Sequence, residues 1–532
     1  MSKLKITKPV ILGFALLFMI ACADQPKKES FTLGKIDFKV TANDEARTHF
    51  EKGVLLLHSF MYGDAALSFQ EAQKADPAFA LAYWGEAMTY NHPLWMEQDF
   101  EKAKESLERL EITKEGRLEK AGTKFEKDIL TGAEILYGDG SKIERDDAYA
   151  AHMAKLYEKY PGNHEVAAFY ALSLLGSVEQ GRNYDVYGHG AKIAQGILKE
   201  NPNHPGALHY LIHSYDDPDH ASLALEAANN YSEVAPDAGH ALHMPSHIYI
   251  ALAMWDNVIS SNIRSYTASL KIGGENAYSR WNLHAYHWLQ YAYLQKNDIE
   301  NARKIMDRMI PYMEANKESV SARYYAIEML GVYLAETGDW KGPYSGQRVD
   351  TENLNVQSRV SQLFLDGFMA VNDANYERVG EIIKSMEEEI SKASNQLITR
   401  GIAVCSGQSF AARPPGQDDL DISKVLVLEL QALQAIQTNQ SDAIIEELLT
   451  QATELEGAIP FMFGPPAIVI PSYEMYGRWL LQQGRYEDAL EQFEKALEKG
   501  PGRRKALMGK LEAARGLNNP EIIQEIEKQL NI

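Results

Sequence analysis

A recurring spacing of alanine, phenylalanine and proline constrains the fold of this chain more than any other sequence feature. The spacing occurs near both ends, in Ala65, Phe69, Ala72 and Pro77 and again in Ala489, Phe493, Ala496 and Pro501. Small residues let two short amphipathic helices pack closely, and the proline ends the unit. Neither helix can bury its apolar face alone, so the spacing predicts an all-α array of stacked helix pairs.

This spacing resembles the A-x3-F…P signature of the tetratricopeptide repeat (TPR), and Gly477 and Leu480 occupy the matching places of a first helix. From Ala42 onward the apolar pattern is helical, and few stretches alternate in polarity as strands do. The resemblance implies a right-handed superhelical solenoid. A repeat of about 34 residues gives about ten to twelve TPR-type helix pairs.

The N-terminal residues predict export. Three lysines lie among the first eight residues, ahead of an apolar stretch, Val10–Ile20, that is too short for an ordinary membrane span. Met19-Ile20-Ala21-Cys22 resembles a lipobox, in which the signal is cut before a cysteine that becomes diacylated. Cys22 is therefore the predicted lipidation site, and two acyl chains would anchor the protein in the cell membrane or outer membrane. The alternative is a plain secretory signal cut near Ala21 or Ala23.

Interruptions of the helical pattern divide the chain. We predict a lipoprotein signal peptide over 1–22, a flexible tether over 23–41, an N-terminal TPR-like superhelix over 42–340 and a C-terminal TPR-like superhelix over 341–532. The last division rests on the Gly- and Pro-bearing stretch Trp340-KGPYSGQRVDT, and the two ranges are predicted as segments rather than independent domains. Phe461-MFGPPAIVIP is a further interruption, because two consecutive prolines exclude a helix.

Charge and cysteine content narrow the range of partners. The formal net charge is -21, with 74 acidic against 53 basic residues, so phosphate backbones are repelled and nucleic acid is not an expected partner. The two cysteines are Cys22 and Cys405. If Cys22 carries lipid, the mature chain forms no internal disulfide, and Cys405 is interpreted as a buried structural thiol.

Histidines are concentrated in one part of the chain, and nine of the 15 lie between His204 and His287. An HxxxH pair recurs at positions 5 and 9 of two consecutive repeats, and further histidines stand at positions 2 and 5. At about 100° per residue, positions 2, 5 and 9 share one stripe of a helix. In tetratricopeptide proteins that stripe faces the concave groove. The histidines predicted to line it are His209, His213, His240, His243, His247, His284 and His287.

Four interpretations of this stripe stay open. The histidines are polar groove-wall residues in a hydrogen-bonded network, or a pocket for an acidic ligand or peptide. They are ligands of a transition metal, zinc or copper, held by the i,i+4 pairs His209, His213, His243 and His247. The fourth is a catalytic site with a metal-activated water or a histidine base. The HExxH signature is absent from the sequence, and no catalytic residue is assigned.

Two local features bear on the shape of the stripe. Pro245 either kinks the helix that carries the second HxxxH pair or begins a helix, in which case His240 and His243 lie in the entering loop. Asp216-Asp217-Pro218-Asp219-His220 is interpreted as a solvated turn, with carboxylate partners of the imidazoles as the alternative.

Longer stretches resemble a family of uncharacterised bacterial tetratricopeptide-repeat proteins that are often exported. They are Ala82-YWGEAM, Asn203-HPGALHYLIHSYDDP, Ala238-GHALHMPSHIYIALAMWDNVISSN and Phe463-GPP. Relatives often carry cysteines just before the first of these stretches. This chain has Phe79 and Leu81 in that region and no cysteine, so any role of those cysteines is missing here. The resemblance implies the fold and no reaction.

We therefore expect a lipid-anchored binding module of the cell envelope, which holds a protein, peptide or small ligand in a histidine-lined concave groove. The alternative is a metal-binding protein or metal-dependent enzyme that uses the same histidines with zinc or copper. A structural scaffold of an envelope complex is a third hypothesis, and it predicts an exposed apolar patch rather than a polar groove.

Overall fold

A computed structural model describes residues 32–178, 181–273, 280–396, 415–462 and 464–532. The predicted signal peptide, Cys22 and Cys405 lie outside the described residues. Within the described ranges, no helix combines the length and apolar character needed to cross a bilayer.

The described chain is all-α apart from one short hairpin, in which Asn91–His92 pairs antiparallel with Glu97–Gln98. Its first part contains α1 (Asp44–His58), α2 (Tyr62–Ala75), α3 (Ala80–Met88), α4 (Phe100–Leu110), α5 (Lys114–Lys120), α6 (Lys124–Leu136), α7 (Lys142–Lys159), α8 (His164–Gly176) and α9 (Tyr184–Glu200). The middle part contains α10 (Pro205–Ser214), α11 (Leu225–Val234), α12 (Gly239–His243), α13 (Pro245–Ala251), α14 (Trp255–Gly273), α15 (Arg280–Gln295), α16 (Ile299–Ala315) and α17 (Val320–Thr337). The last part contains α18 (Val356–Asn372), α19 (Tyr376–Ser394), α20 (Gln417–Gln437), α21 (Asp442–Ala458), α22 (Ser472–Gln482), α23 (Tyr486–Lys499), α24 (Arg504–Gly516) and α25 (Pro520–Leu530).

Local chemistry sets many helix starts. Asn43, Asn163 and Asn355 each precede a helix, and each side chain accepts a hydrogen bond from the backbone N–H three residues later. These caps satisfy amide groups that the first turn of a helix leaves without a partner. The sequence therefore fixes where the helices begin, and packing fixes how they stack.

In each of the two signature repeats, the phenylalanine ring packs against glycines of the neighbouring helices. Phe69 of α2 is fully buried against glycines of the first helices on either side, Gly53 and Gly85. Phe493 of α23 lies in the same way between Gly477 and Gly509. The glycines admit the ring because they carry no side chain, so helix pairs stack closely and form the all-α superhelical repeat that the spacing predicts.

Part of the predicted tether packs on the repeats. Leu33 and Phe38 are buried, and the N–H of Lys35 donates to the carbonyl oxygen of Asn203 over 2.9 Å. The Thr41 hydroxyl bonds the Glu126 carboxylate. Flexibility was therefore the wrong expectation for residues 32–41, because their apolar side chains find a place between helices that lie far away in sequence.

Residues 338–355 replace a second helix after α17, close to the predicted boundary at 340. One apolar cluster nevertheless runs from Leu33 to Val469, across that boundary. The C-terminal part of the chain also contacts the middle part. The Arg503 guanidinium, before α24, bonds Glu474, Glu336 and the Tyr291 hydroxyl of α15. The large cluster thus continues from the first predicted superhelix into the second, and two smaller apolar clusters lie within the second.

The connection between α21 and α22 fills space inside this curved array. A side chain at Gly464 would lie 2.8 Å from the ring of Trp288 on α15, and one at Gly331 of α17 would lie 3.0 Å from Val469. Gly464 has a φ of +100°, which favours glycine. The described residues of this connection therefore rest on α15 and α17 rather than projecting into solvent.

We expect Gly85→Ala to lower the free energy of unfolding by about 1–3 kcal/mol, because the added methyl group would overlap the Phe69 ring. Gly188 inside α9 is the matched control, since nothing lies within 4 Å of where its methyl group would stand. Alanine there should stabilise by about 0.5–1 kcal/mol. Urea unfolding of both variants measures the difference, and equal midpoints would contradict the close stacking of α2 on α3.

Candidate metal centre

The structure brings the predicted histidines together in the interior of the array. His209 and His213 lie on α10, His240 and His243 on α12, His247 on α13, and His284 and His287 on α15. All seven are buried, and the most exposed of them, His287, is 7% exposed. Convergence was predicted, but an open groove was not the right setting, because neighbouring aromatic side chains close over the imidazoles.

Pro245 does not unwind the chain. It occupies the first turn of α13, and Met244 before it keeps right-handed helical angles, with φ -52° and ψ -37°. Proline removes one ladder hydrogen bond, so α12 and α13 are consecutive short helices. His240 and His243 therefore lie on a helix, and the alternative that placed them in an entering loop was wrong.

The first triad consists of His209, His213 and His240, whose ligand nitrogens all lie within 4.8 Å of one another. His209 Nδ1 donates to the carbonyl oxygen of His58 over 2.7 Å. His213 Nδ1 lies 3.3 Å from Asp216 Oδ2. With both Nδ1 atoms held by acceptors, the two Nε2 atoms face each other at 3.1 Å.

The second triad consists of His243, His247 and His284, and its ligand nitrogens also lie within 4.8 Å of one another. His243 Nδ1 donates to Asn262 Oδ1 over 2.7 Å, and the Asn262 amide is oriented by its own bond to the Val258 carbonyl. His247 Nδ1 donates to Asp216 Oδ2 over 3.1 Å. These acceptors leave Nε2 as the ligand atom of His243 and of His247.

The two triads are related by one repeat of the chain. Each combines an HxxxH pair from one repeat with the position-2 histidine of the next repeat, His240 or His284. The triads are adjacent, since the rings of His213 and His247 are 5.4 Å apart. One further repeat would place His287, Tyr291 and Tyr325 in the equivalent positions, so tyrosines end the series of histidine triads.

Asp216 joins the triads and corrects one sequence interpretation. It is fully buried rather than part of a solvated turn, and one of its oxygens accepts from both His213 and His247. Burial by itself would raise the pKa of Asp216, but the Arg182 guanidinium at 2.7 Å and these imidazoles hold that pKa well below its usual range. Asp216 is therefore an anion that fixes one ring in each triad.

Burial keeps five of the six triad imidazoles neutral. It lowers the pKa of His209, His240, His243 and His284 well below the ordinary value of 6.5. The pKa of His247 falls to about 4 through burial, against the opposing effect of Asp216. Neutral imidazoles carry the free electron pair that a metal ion requires.

A third group of residues, His58, Glu165 and His204, has metal-ligand spacing but a different chemistry. His58 bonds Glu165 and the Tyr210 hydroxyl, each over 2.8 Å. His204 bonds Glu165 over 3.2 Å, and its Nδ1 accepts from the backbone N–H of Ala207. Every ring nitrogen of this group has a protein partner, so it is a closed hydrogen-bond network rather than a metal site.

Aromatic rings enclose the triads. Phe60 lies 4.3 Å from His209 between ring centroids, and Trp288 lies 4.6 Å from His247 and 4.9 Å from His243. Sequence reasoning missed Phe60, Trp288, Asn262 and the His58 carbonyl. All four lie outside the helices that carry the HxxxH pairs, so only tertiary packing identifies them.

A family comparison supports the repeat near the C-terminus. Residues 471–503 match the tetratricopeptide repeat family. No curated protein matches this chain. Among solved structures, the P58(IPK) TPR domain is 13% identical, with 89% of this chain and 98% of that chain covered and a TM-score of 0.22. Yeast Tom70 is 12% identical, with coverage of 91% and 99% and a TM-score of 0.31. A monomeric mutant of IFIT1 with m7Gppp-AAAA is also 12% identical, with coverage of 92% and 97% and a TM-score of 0.35.

We expect the metal-free protein to lose stability below pH 6.5, and His287 shows why. Burial lowers its pKa to about 3, whereas an unfolded chain protonates the same ring near pH 6.5. As the pH falls below 6.5, the His287 ring takes up a proton in the unfolded state but not in the folded state. Between pH 6.5 and 4, this ring alone costs about 3 kcal/mol of unfolding free energy.

Urea unfolding of the metal-free protein at pH 7 and pH 5 measures this loss. His287→Gln should reduce the difference between the two pH values, and His49→Gln, which changes a partly exposed histidine of α1, should leave it unchanged. An unaltered difference in His287→Gln would show that this ring protonates normally in the folded state.

Proposed function

We propose that this protein binds transition metal ions in its six-histidine cluster, with one ion in each triad. The observation that carries the proposal is the 3.1 Å distance between the Nε2 atoms of His209 and His213. The Nδ1 atom of each ring faces an acceptor, a carbonyl oxygen or a carboxylate. With Nδ1 engaged in this way, the Nε2 atoms of both rings are placed where one metal ion could accept an electron pair from each.

The distance suits such a cation. Nitrogen ligands lie about 2.0–2.1 Å from zinc in tetrahedral sites, which places two of them about 3.3 Å apart. Metal-binding histidines typically donate the other ring N–H to a carboxylate or carbonyl, because that bond fixes the ring and strengthens the ligand. Four cluster histidines have such a bond: His209, His213, His243 and His247.

The second triad supports the proposal independently. The Nε2 atoms of His243 and His284 are buried and have no hydrogen-bond partner in the described structure. A buried polar atom without a partner costs about 1–3 kcal/mol, and native proteins rarely keep several together. A metal ion bound by both atoms would remove this cost. Imidazole ligands suit zinc, copper, iron and nickel.

The peptide-groove hypothesis needs a different surface. TPR-type repeats are scaffolds with extended binding surfaces, and a protein-binding role agrees with the fold. The cluster histidines are too deeply buried to contact a protein partner. We therefore propose that an envelope partner, if bound, contacts outer surfaces of the array, and that the histidines serve the metal.

We expect the full-length chain, purified in detergent without an oligohistidine tag, to bind about two metal ions after incubation with zinc or copper and desalting. His243→Ala should retain about one ion, because it removes a ligand of the second triad only. His209→Ala should likewise retain about one, and the double variant should retain none. Elemental analysis measures the content, and bound metal should raise the melting temperature.

His287→Ala is the matched control, since it removes a buried imidazole of α15 that belongs to neither triad. It should keep both ions, and circular dichroism should show the same helix content in every variant. Less than about a tenth of an ion per chain, with no thermal shift on adding zinc or copper, would refute metal binding.

We further propose that the protein is exported and anchored by lipid on Cys22, on the support of its lipobox-like residues. Cys22→Ser should abolish incorporation of labelled fatty acid, because the acyl acceptor is lost. Cys405→Ser is the control and should remain labelled. Gel fluorography of cells fed labelled palmitate distinguishes the variants, and equal labelling of Cys22→Ser would contradict the anchor.

A further inference from the structure

The charge around the triads indicates which ion they are built to hold. The six ligands are imidazoles, which bring no charge. The carboxylate of Asp216 bonds one ring in each triad, and its charge is opposed by Arg182. Arg182 also lies 3.7 Å from buried Asp217, so these three side chains carry one net negative charge.

We infer that the two triads bind monovalent copper, Cu(I), in preference to divalent zinc or copper. This inference rests on the proposed metal-binding function. Two divalent ions would place four positive charges beside one net negative charge in the protein interior. Two Cu(I) ions would place two there. The cost of removing an ion from water grows with the square of its charge, so each divalent ion costs about four times as much to bury.

The number of ligands in each triad also favours Cu(I). Structural zinc takes four protein ligands, and catalytic zinc completes its shell with water. Each triad supplies three ligand nitrogens and is enclosed by protein. Cu(I) has a filled d shell and accepts three ligands in a plane, so it needs no fourth donor. Imidazole is among the ligands that suit copper.

The aromatic rings beside the triads add to this preference. Phe60 lies against the first triad, and Trp288 lies against the second, 4.6 Å from His247 between ring centroids. The electron-rich face of an aromatic ring attracts a cation, most strongly when water is excluded. Neither ring offers a ligand atom, so these neighbours do not complete the coordination of an ion that needs a fourth ligand.

Competitive titration of the full-length, tag-free protein tests the inference. Under anaerobic conditions, metal-free protein is mixed with Cu(I) held by bicinchoninate, a coloured chelator, and in parallel with Zn(II) held by a coloured zinc chelator. We expect about two Cu(I) per chain to leave the chelator, with a dissociation constant at least about 100-fold lower than that for zinc. X-ray absorption should show a three-coordinate Cu(I) edge with nitrogen and no sulfur neighbours.

Variants separate the ion preference from binding itself. Asp216→Asn keeps an oxygen acceptor for the rings but removes the negative charge, and it should weaken Cu(I) binding about 10–100-fold. His287→Ala should leave both titrations unchanged. Tighter binding of zinc than of Cu(I) by the unaltered protein would overturn this inference and leave the metal-binding function standing. Failure to withdraw either metal from its chelator would overturn both.

Discussion

One oxygen of Asp216 accepts hydrogen bonds from two imidazoles that belong to different repeats, and the arrangement of the cluster depends on this contact. It fixes the Nδ1 side of His213 and His247, so each ring turns its Nε2 side toward its own triad. Arg182 keeps the carboxylate ionised in a buried position. Without this anion, one ring in each triad would lose its Nδ1 acceptor.

Stacking of equivalent repeats explains why a second triad follows the first. Helices that follow one another in a solenoid present equivalent positions at a constant offset. An HxxxH pair at positions 5 and 9 therefore meets position 2 of the next first helix, and the same meeting recurs one repeat later. The series ends where Tyr291 and Tyr325 replace histidine, and the Tyr325 hydroxyl instead lies 3.3 Å from His284 Nδ1.

Two buried histidine clusters of this chain differ in their hydrogen bonding. In the group of His58, Glu165 and His204, each ring nitrogen is bonded to protein. In the second triad, the Nε2 atoms of His243 and His284 are buried and have no hydrogen-bond partner in the described structure. The two clusters are equally buried, but the ring nitrogens of the first are all hydrogen-bonded and two of the second are not. This difference, rather than the number of histidines, supports the proposed cation in the triads.

Sequence by itself determined the helical repeat, the glycine and phenylalanine positions at which the helices stack, and the stripe that gathers the histidines, because these follow from local periodicity. Tertiary structure alone decided that the stripe is buried, that Asp216 is an anion of the interior, and that residues 32–41 pack on the array. Those outcomes depend on partners distant along the chain, such as Phe60 over His209 and Arg182 beside Asp216. A periodic pattern places a residue on one face of a helix, but only the neighbouring elements determine whether that face meets water or protein.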